Sequence, residues 1–153
     1  MTRIQESILV AATPDQCWKY YSDIGHLKDW VEGGGFKCMD WLSPPPKQMG
    51  SEFRFTLQYF RRRLAWRAKI TKFEEPREVQ YDLVEGDVVA YNEGTRFEPR
   101  PEGSRVTFWV QYELPDLLTR IADCLLVKRL IQRDFRHMAN RFKVQVETLA
   151  AAR

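Results

Sequence analysis

Between Gly50 and Leu114 the chain alternates apolar with polar residues in five successive stretches, and a long amphipathic segment follows them. In SEFRFTLQY, Phe53, Phe55, Leu57 and Tyr59 share one parity while Glu52, Arg54, Thr56 and Gln58 share the other, the period-2 signature of a half-buried strand. Leu64, Trp66, Ala68 and Ile70 oppose Ala65, Arg67, Lys69 and Thr71 in the same way; Val79, Tyr81 and Leu83 oppose Gln80, Asp82 and Val84; and Val106, Phe108, Val110, Tyr112 and Leu114 oppose Thr107, Trp109, Gln111 and Glu113. In the fourth stretch Val89, Tyr91, Glu93, Thr95 and Phe97 share a parity, so this strand alone sets a carboxylate in line with its aromatic residues. The breaks at Arg61 to Arg63, Glu74 to Pro76, Glu85 to Asp87 and Pro99 to Gly103 are short and carry turn chemistry, which favours antiparallel neighbours in chain order.

Upstream, RIQESILVAA predicts a first strand. Thr13-Pro14-Asp15 then marks a helix start: Thr13 can cap free amides, Pro14 suits the first helical position, and Asp15 complements the positive helix end. Cys17, Trp18, Tyr21 and Ile24 recur at helical spacing until Gly25, and His26 to Val31 predicts a second short helical turn. Gly33-Gly34-Gly35 is expected as a hinge or loop and not a phosphate cradle, since it lacks GxGxxG spacing and no Lys-Ser/Thr follows. Phe36 to Leu42 predicts a strand, and Ser43 to Lys47, with three consecutive prolines, a stiff connection.

The closing segment can be tested by angle. From Ile131, the residues Phe135, Met138, Phe142, Val146 and Leu149 stay within roughly 60° of arc at about 100° per residue, which makes one apolar stripe. Arg129, Arg133, Arg136 and Asn140 fall opposite, and His137 lies about 135° from the stripe centre, toward solvent. Asp134 and Gln145 border the stripe and are the polar residues best placed to look into a cavity. Leu117 to Val127, opened by Pro115-Asp116, is expected as a separate helix or a lid on the rim.

With 153 residues, 44% of them hydrophobic and 29% charged, the chain suits a single domain with one sizeable core, residues 1–153. No apolar run approaches the ~20 residues of a membrane span, and MTRIQESILV lacks the regions of a signal peptide. Cys17, Cys38 and Cys124 form neither an even disulfide set nor a CxxC pair, so a reducing cytoplasm is the expected compartment, with Cys17 and Cys124 as buried small hydrophobes. A net charge of +3 is too small to imply nucleic acid by itself. Two distant histidines and no paired cysteines give no metal site, and there is no GxSxG nucleophile.

The order strand, helix with ATPDQCWKYYSDIGHLKDW, GSEFRF, the sheet, FEPRPEGSRVTFWVQYEL and the terminal helix resembles the START-like (SRPBCC) superfamily, over nearly the whole chain. That superfamily includes the polyketide cyclase/dehydratase and lipid-transport group. The phrases at Ala12 to Trp30 and Phe97 to Thr107 carry most of the likeness. The resemblance implies an α+β helix-grip fold, a curved antiparallel sheet of about seven strands wrapped around a C-terminal helix with a hydrophobic cavity between them. It implies no single activity and no cofactor, because the same fold hosts carriers, aromatase/cyclases, hydrolases and chaperone cofactors.

The inward parity set holds Phe53, Phe55, Tyr59, Trp66, Tyr81, Tyr91, Phe97, Phe108 and Tyr112, facing Phe135, Met138, Phe142 and Asp134 from the helix. Large aromatics also fill ordinary cores, but taken together the set suits a flat apolar ligand, with tyrosine hydroxyls to orient it. Glu93 is the candidate acid/base: a carboxylate facing an apolar interior has its pKa raised and could serve a cyclisation, dehydration or hydration. A bulge near Gly94 would turn it to solvent instead. The expected functions are therefore binding or transport of a lipid, polyketide or other aromatic or isoprenoid-like molecule; a polyketide cyclase, aromatase or dehydratase using cavity acid/base groups; or an interaction module with a filled cavity. Arg61 to Arg63, Lys128, Arg129, Arg133 and Arg136 read as a solvated face, or as a docking face for an anionic membrane, a carrier or ribosomal RNA. Trp109, of outward parity, suggests a covered surface such as a homodimer contact.

Overall fold

In the computed structural model, which describes residues 1–152, alternation becomes seven strands: β1 (Thr2–Val10), β2 (Phe36–Trp41), β3 (Glu52–Tyr59), β4 (Arg62–Glu74), β5 (Glu78–Gly86), β6 (Ala90–Arg100) and β7 (Gly103–Glu113). They form one antiparallel sheet in the order β1-β7-β6-β5-β4-β3-β2. Strands β2 to β7 follow one another as chain neighbours, and β1 closes the order beside β7, pairing Ile4 with Val110 and Val10 with Ser104. The sheet curls, so its concave face can surround a helix.

Between β1 and β2 lie α1 (Pro14–Ser22), a short 3₁₀ turn (Ile24–His26) and α2 (Leu27–Trp30). The predicted helix start forms as a full capping box: the Thr13 hydroxyl accepts from the Gln16 amide at 3.2 Å, and the Gln16 side chain accepts from the Thr13 amide at 2.9 Å. Cys17, Trp18, Tyr20 and Tyr21 are the buried face of α1.

The C-terminal third departs from expectation at its start and at its end. The predicted lid does not break away from the long helix: α3 (Leu117–Ala122) runs through a π-helical turn (Asp123–Val127) directly into α4 (Lys128–Ala151). The π turn is locked to the sheet by Asp123, whose carboxylate accepts from the Tyr112 hydroxyl at 2.6 Å and from the Thr2 hydroxyl at 2.6 Å. Such turns insert one residue into the helical ladder and persist where something holds them. On α4, Ile131, Phe135, Met138, Phe142 and Val146 face the sheet as the stripe predicts, and Ala139 joins them. Leu149 and Gln145, expected on or beside the stripe, are exposed instead. His137 is exposed, as its angle predicts.

Phe142 anchors the core. Its ring meets Trp30 at 5.1 Å and Phe108 at 5.5 Å, both edge-on, so α2, α4 and β7 converge on one fully buried side chain. Beside it on α4, Arg141 donates to the carbonyls of Trp30 (3.1 Å) and Val31 (3.3 Å), closing the end of α2.

Two outward readings change. Trp109 is only 6% exposed, but its cover comes from its own chain: it fills the space left by Gly94 on the neighbouring strand, and the Arg3 guanidinium lies over its ring at 5.1 Å. The hint of a dimer contact therefore goes. Cys124 is exposed and not a buried hydrophobe, since it lies on the outer side of the π turn, whereas Cys17 is fully buried. Among the described residues no helix is long and apolar enough to cross a membrane, and no group of three or more His, Cys, Asp or Glu side chains is placed to hold a metal.

Candidate ligand cavity

Between the concave sheet and α4 lies a cavity of about 80 Å³. Phe55, Trp66, Tyr81, Tyr91, Phe108, Tyr112, Phe135, Met138 and Glu93 line it, all from the inward parity set or the helix stripe. The remaining members of that set do not reach it. Phe53 is fully buried behind the wall, stacked on Trp41 and edge-on to Tyr81; Phe97 packs against Trp18 and Tyr21; and Phe142 fills the core described above. These three support the wall from behind.

Tyr59 and Asp134 are diverted from the cavity to each other. The Tyr59 hydroxyl donates to Asp134 Oδ2 at 2.5 Å, the Gly35 amide donates to the same oxygen at 3.0 Å, and Arg133 donates to Oδ1 at 3.2 Å. This explains the glycine run. A Cβ on Gly34, whose φ is +56°, would stand 2.3 Å from Asp134 Oδ1, and one on Gly35 would strike the Tyr59 ring. The expected hinge is thus a tight turn pressed onto a buried carboxylate, and burial together with Asp134 holds the Tyr59 phenol well above its ordinary pKa.

Glu93 faces inward. The ladders to β5 and β7 run without a shift through this point, pairing Glu93 with Tyr81 and Val110, so the bulge that would have turned it outward does not occur. It is half-buried, and the space it meets is the cavity. Burial pushes its pKa up from 4.5 to about 7, against the opposing pull of the Tyr91 hydroxyl and of Lys47. Around it stand Tyr21, Tyr81 and Tyr91; the Tyr21 and Tyr81 hydroxyls are 2.9 Å apart. All three phenols are raised, first by burial. One end of an otherwise apolar cavity is therefore a cluster of neutral hydroxyls around one titratable carboxyl.

Lys47 is the residue that sequence reasoning missed. It sits at the end of the proline-rich connection, where surface exposure is the ordinary outcome, yet it is 4% exposed and lines the cavity. Its ammonium donates to the Tyr21 carbonyl at 3.1 Å and lies over the rings of Tyr21 (4.3 Å) and Trp41 (4.8 Å). Burial lowers its pKa from 10.5 to about 7, with Glu93 and Asp23 pulling the other way. Three stiff residues ahead of it and a ring of aromatics around it were both visible in the sequence, but nothing local linked them. Tyr21, Trp30, Phe36 and Met39 also line the wall, from the predicted helical segments and strand that carried no inward assignment in the sequence. The Trp30 indole N–H is buried without a protein acceptor among the described residues.

A second hollow of about 220 Å³ lies between the β3–β4 tip and α3, lined by Tyr59, Phe60, Leu64, Ala122 and Val127. Leu57 and Leu114 border both spaces, so these two side chains stand between them. Arg62 reaches Asp116 at 2.8 Å across the hollow's rim. Val89, expected inward, is 53% exposed, and Val88 takes its place on the cavity wall because the chain enters β6 only at Ala90.

A curled seven-stranded sheet closed by one long helix over an aromatic cavity defines a helix-grip protein. The family model for polyketide cyclase / dehydrase and lipid transport matches residues 1–147, and the chain belongs to that family. No curated protein matches the sequence. Among solved structures, protein TTHA0849 of Thermus thermophilus is similar over 99% of this chain and 100% of its own, at TM-score 0.81 and 18% identity. The Zhui aromatase/cyclase of Streptomyces sp. R1128 matches 95% of this chain and 93% of its own at TM-score 0.76 and 12% identity. Norcoclaurine synthase of Thalictrum flavum covers 95% and 86% at TM-score 0.66 and 17% identity. At these identities the likeness is one of fold.

Proposed function

We propose that this protein binds a small, flat, predominantly apolar molecule between sheet and helix, with the ligand's polar end at Glu93 and the tyrosines. The observation that carries this reading is the division of the cavity: Phe55, Trp66, Phe108, Phe135 and Met138 supply apolar walls, and the polar groups converge at one end. At about 80 Å³ the closed cavity is smaller than the ~150 Å³ that holds a benzene ring, so a single-ring ligand requires the aromatic wall to yield, and a lipid or polyketide requires opening at Leu57 and Leu114 into the second hollow. The family includes carriers as well as cyclases, which accords with both uses.

Native mass spectrometry of gently purified protein, together with titration by toluene followed through tryptophan fluorescence, tests this reading. Retention of a small molecule or saturable toluene binding is expected. Absence of both a bound species and saturable uptake would overturn it and leave an interaction module with a filled core.

A second reading, catalysis of a cyclisation or dehydration, is favoured by Glu93 itself. A carboxyl poised near neutrality in a largely apolar pocket can exchange a proton with bound substrate. Replacing Glu93 with Gln, which keeps a hydrogen-bonding group at the polar end, separates the two: ligand is still bound in either case, and only an enzyme relying on this carboxyl loses turnover.

A further inference from the structure

We infer that Lys47 captures a carbonyl compound as an imine, with Glu93 as the proton donor, so that the cavity's ligand is an aromatic or apolar aldehyde or ketone. This deepens the ligand-binding reading and rests on it. The argument begins with an imbalance. Lys47 is buried, its nitrogen has one protein acceptor, the Tyr21 carbonyl, and among the described residues no carboxylate makes an ion pair with it. A lysine whose purpose is to fasten a loop ordinarily keeps its charge in water or pairs it, because burying an unpaired ammonium is strongly unfavourable. Here its surroundings are Tyr21, Trp41 and the cavity. A desolvated lysine in an apolar pocket is the form of this side chain that reacts with carbonyls, since the neutral amine holds the lone pair.

Glu93 supplies what such a reaction lacks. It lines the same cavity, and it has a proton to give near neutrality. The nitrogen lone pair of Lys47 forms the C–N bond as the C=O π pair moves to oxygen, and a proton passing from nitrogen to that oxygen gives a neutral carbinolamine. Protonation of its hydroxyl by the Glu93 carboxyl breaks the C–O bond, water leaves, and the nitrogen lone pair forms the C=N bond. The products are an iminium on Lys47, a carboxylate on Glu93 and one water; charge is conserved, and the two opposite charges share the cavity. Nothing is oxidised or reduced. The same carboxylate can then accept a proton from the carbon next to the iminium, which yields an enamine.

The proline-rich connection makes the placement durable. The Ser43 hydroxyl accepts from the Glu52 amide at 2.9 Å and the Ser51 hydroxyl from the Gln48 amide at 3.1 Å, so both sides of Pro44-Pro45-Pro46-Lys47 are tied to the start of β3. The amine is thereby delivered from a constrained loop, and little ordering remains to be done when a ligand arrives.

The test is reductive trapping of the full-length protein with benzaldehyde and cyanoborohydride near neutral pH, with the adduct located by peptide mass spectrometry. The expected result is a single adduct concentrated on Lys47, suppressed by excess toluene, and slowed at least several-fold in Glu93→Gln. Lys47→Met and Lys47→Arg should lose that adduct. A label spread over surface lysines with no preference for Lys47, or adduct formation on Lys47 that toluene does not suppress, overturns the inference. The mapping is done on the unaltered protein, so a variant that fails to fold does not decide it. If toluene binds and no Lys47 adduct forms, the imine falls while the cavity reading stands; if neither toluene nor benzaldehyde binds, both fall.

Discussion

Tyr112 donates its phenolic proton to Asp123 across 2.6 Å, and this bond ties the last strand to the π turn of the C-terminal helix. Thr2 at the start of β1 donates to the other oxygen of the same carboxylate at 2.6 Å, so one buried side chain joins both strands at the sheet's end to the helix. Replacing Asp123 with Ala leaves two donors without their acceptor at a largely buried site. Stability is expected to fall by about 2–4 kcal/mol, since each unsatisfied buried group costs ~1–3 kcal/mol. Hydrogen exchange should rise first in residues 117–127. A loss confined to α4 with the π turn still protected would contradict this role.

The pH dependence of stability follows from Glu93 and Lys47 with opposite signs. Glu93 is raised from 4.5 to about 7 in the fold, so below pH 4.5 it is neutral in both states and exacts nothing. As pH rises from 4.5 to about 7 the unfolded chain ionises while the folded protein does not, and stability falls by on the order of 3 kcal/mol. Lys47 is lowered from 10.5 to about 7, so its contribution is complete above pH 10.5 and is lost as pH falls toward 7. Urea unfolding across this range should therefore show a stability minimum near neutrality. Glu93→Gln should flatten the acidic limb and Lys47→Met the alkaline one; unchanged limbs in both variants would show that these groups are not buried as described.

Gly94 and Trp109 form a lock on the convex face. A Cβ on Gly94 would stand 2.6 Å from Trp109 Cζ2, so Gly94→Ala is expected to cost about 1–3 kcal/mol as the indole is displaced. Combining it with Trp109→Leu should recover part of that loss, and a double-mutant cycle from thermal unfolding reads the coupling. Strict additivity would mean that the two residues do not share the space.

The position of Leu57 and Leu114 between the two hollows predicts an effect on ligand entry. Leu114→Trp should slow the uptake of toluene in stopped-flow tryptophan fluorescence, at a cost of about 1–3 kcal/mol in stability because Leu114 is buried. Unaltered uptake would place the entrance elsewhere.

The strands, the capping box and the buried stripe of α4 were legible because each is written in residues near one another in sequence: alternation in β3 to β7, Thr13 with Gln16, and Ile131 to Val146. Glu93 was legible for the same reason, since parity needs only its own strand. Asp134 and Tyr59 misled, because parity gives a direction and not a partner, and the two lie far apart in the chain. Lys47 left no periodic trace at all. A loop residue has no repeat to betray its direction, and its burial depends on Tyr21, Trp41 and Glu93 from three other segments.

The π turn at Asp123–Val127 gives the C-terminal helix two independent phases. One inserted residue offsets everything ahead of it by about 100° relative to an unbroken helix. The face that clamps to the sheet after Lys128 is therefore not continued before Asp123, where Leu117 and Leu118 point outward, the latter 76% exposed. Removing a single residue from 123–127 would splice the two phases into one, swing those leucines toward a different neighbour and pull Asp123 from Tyr112 and Thr2. The length of this segment, more than its composition, is what decides which way the first turn of the helix looks.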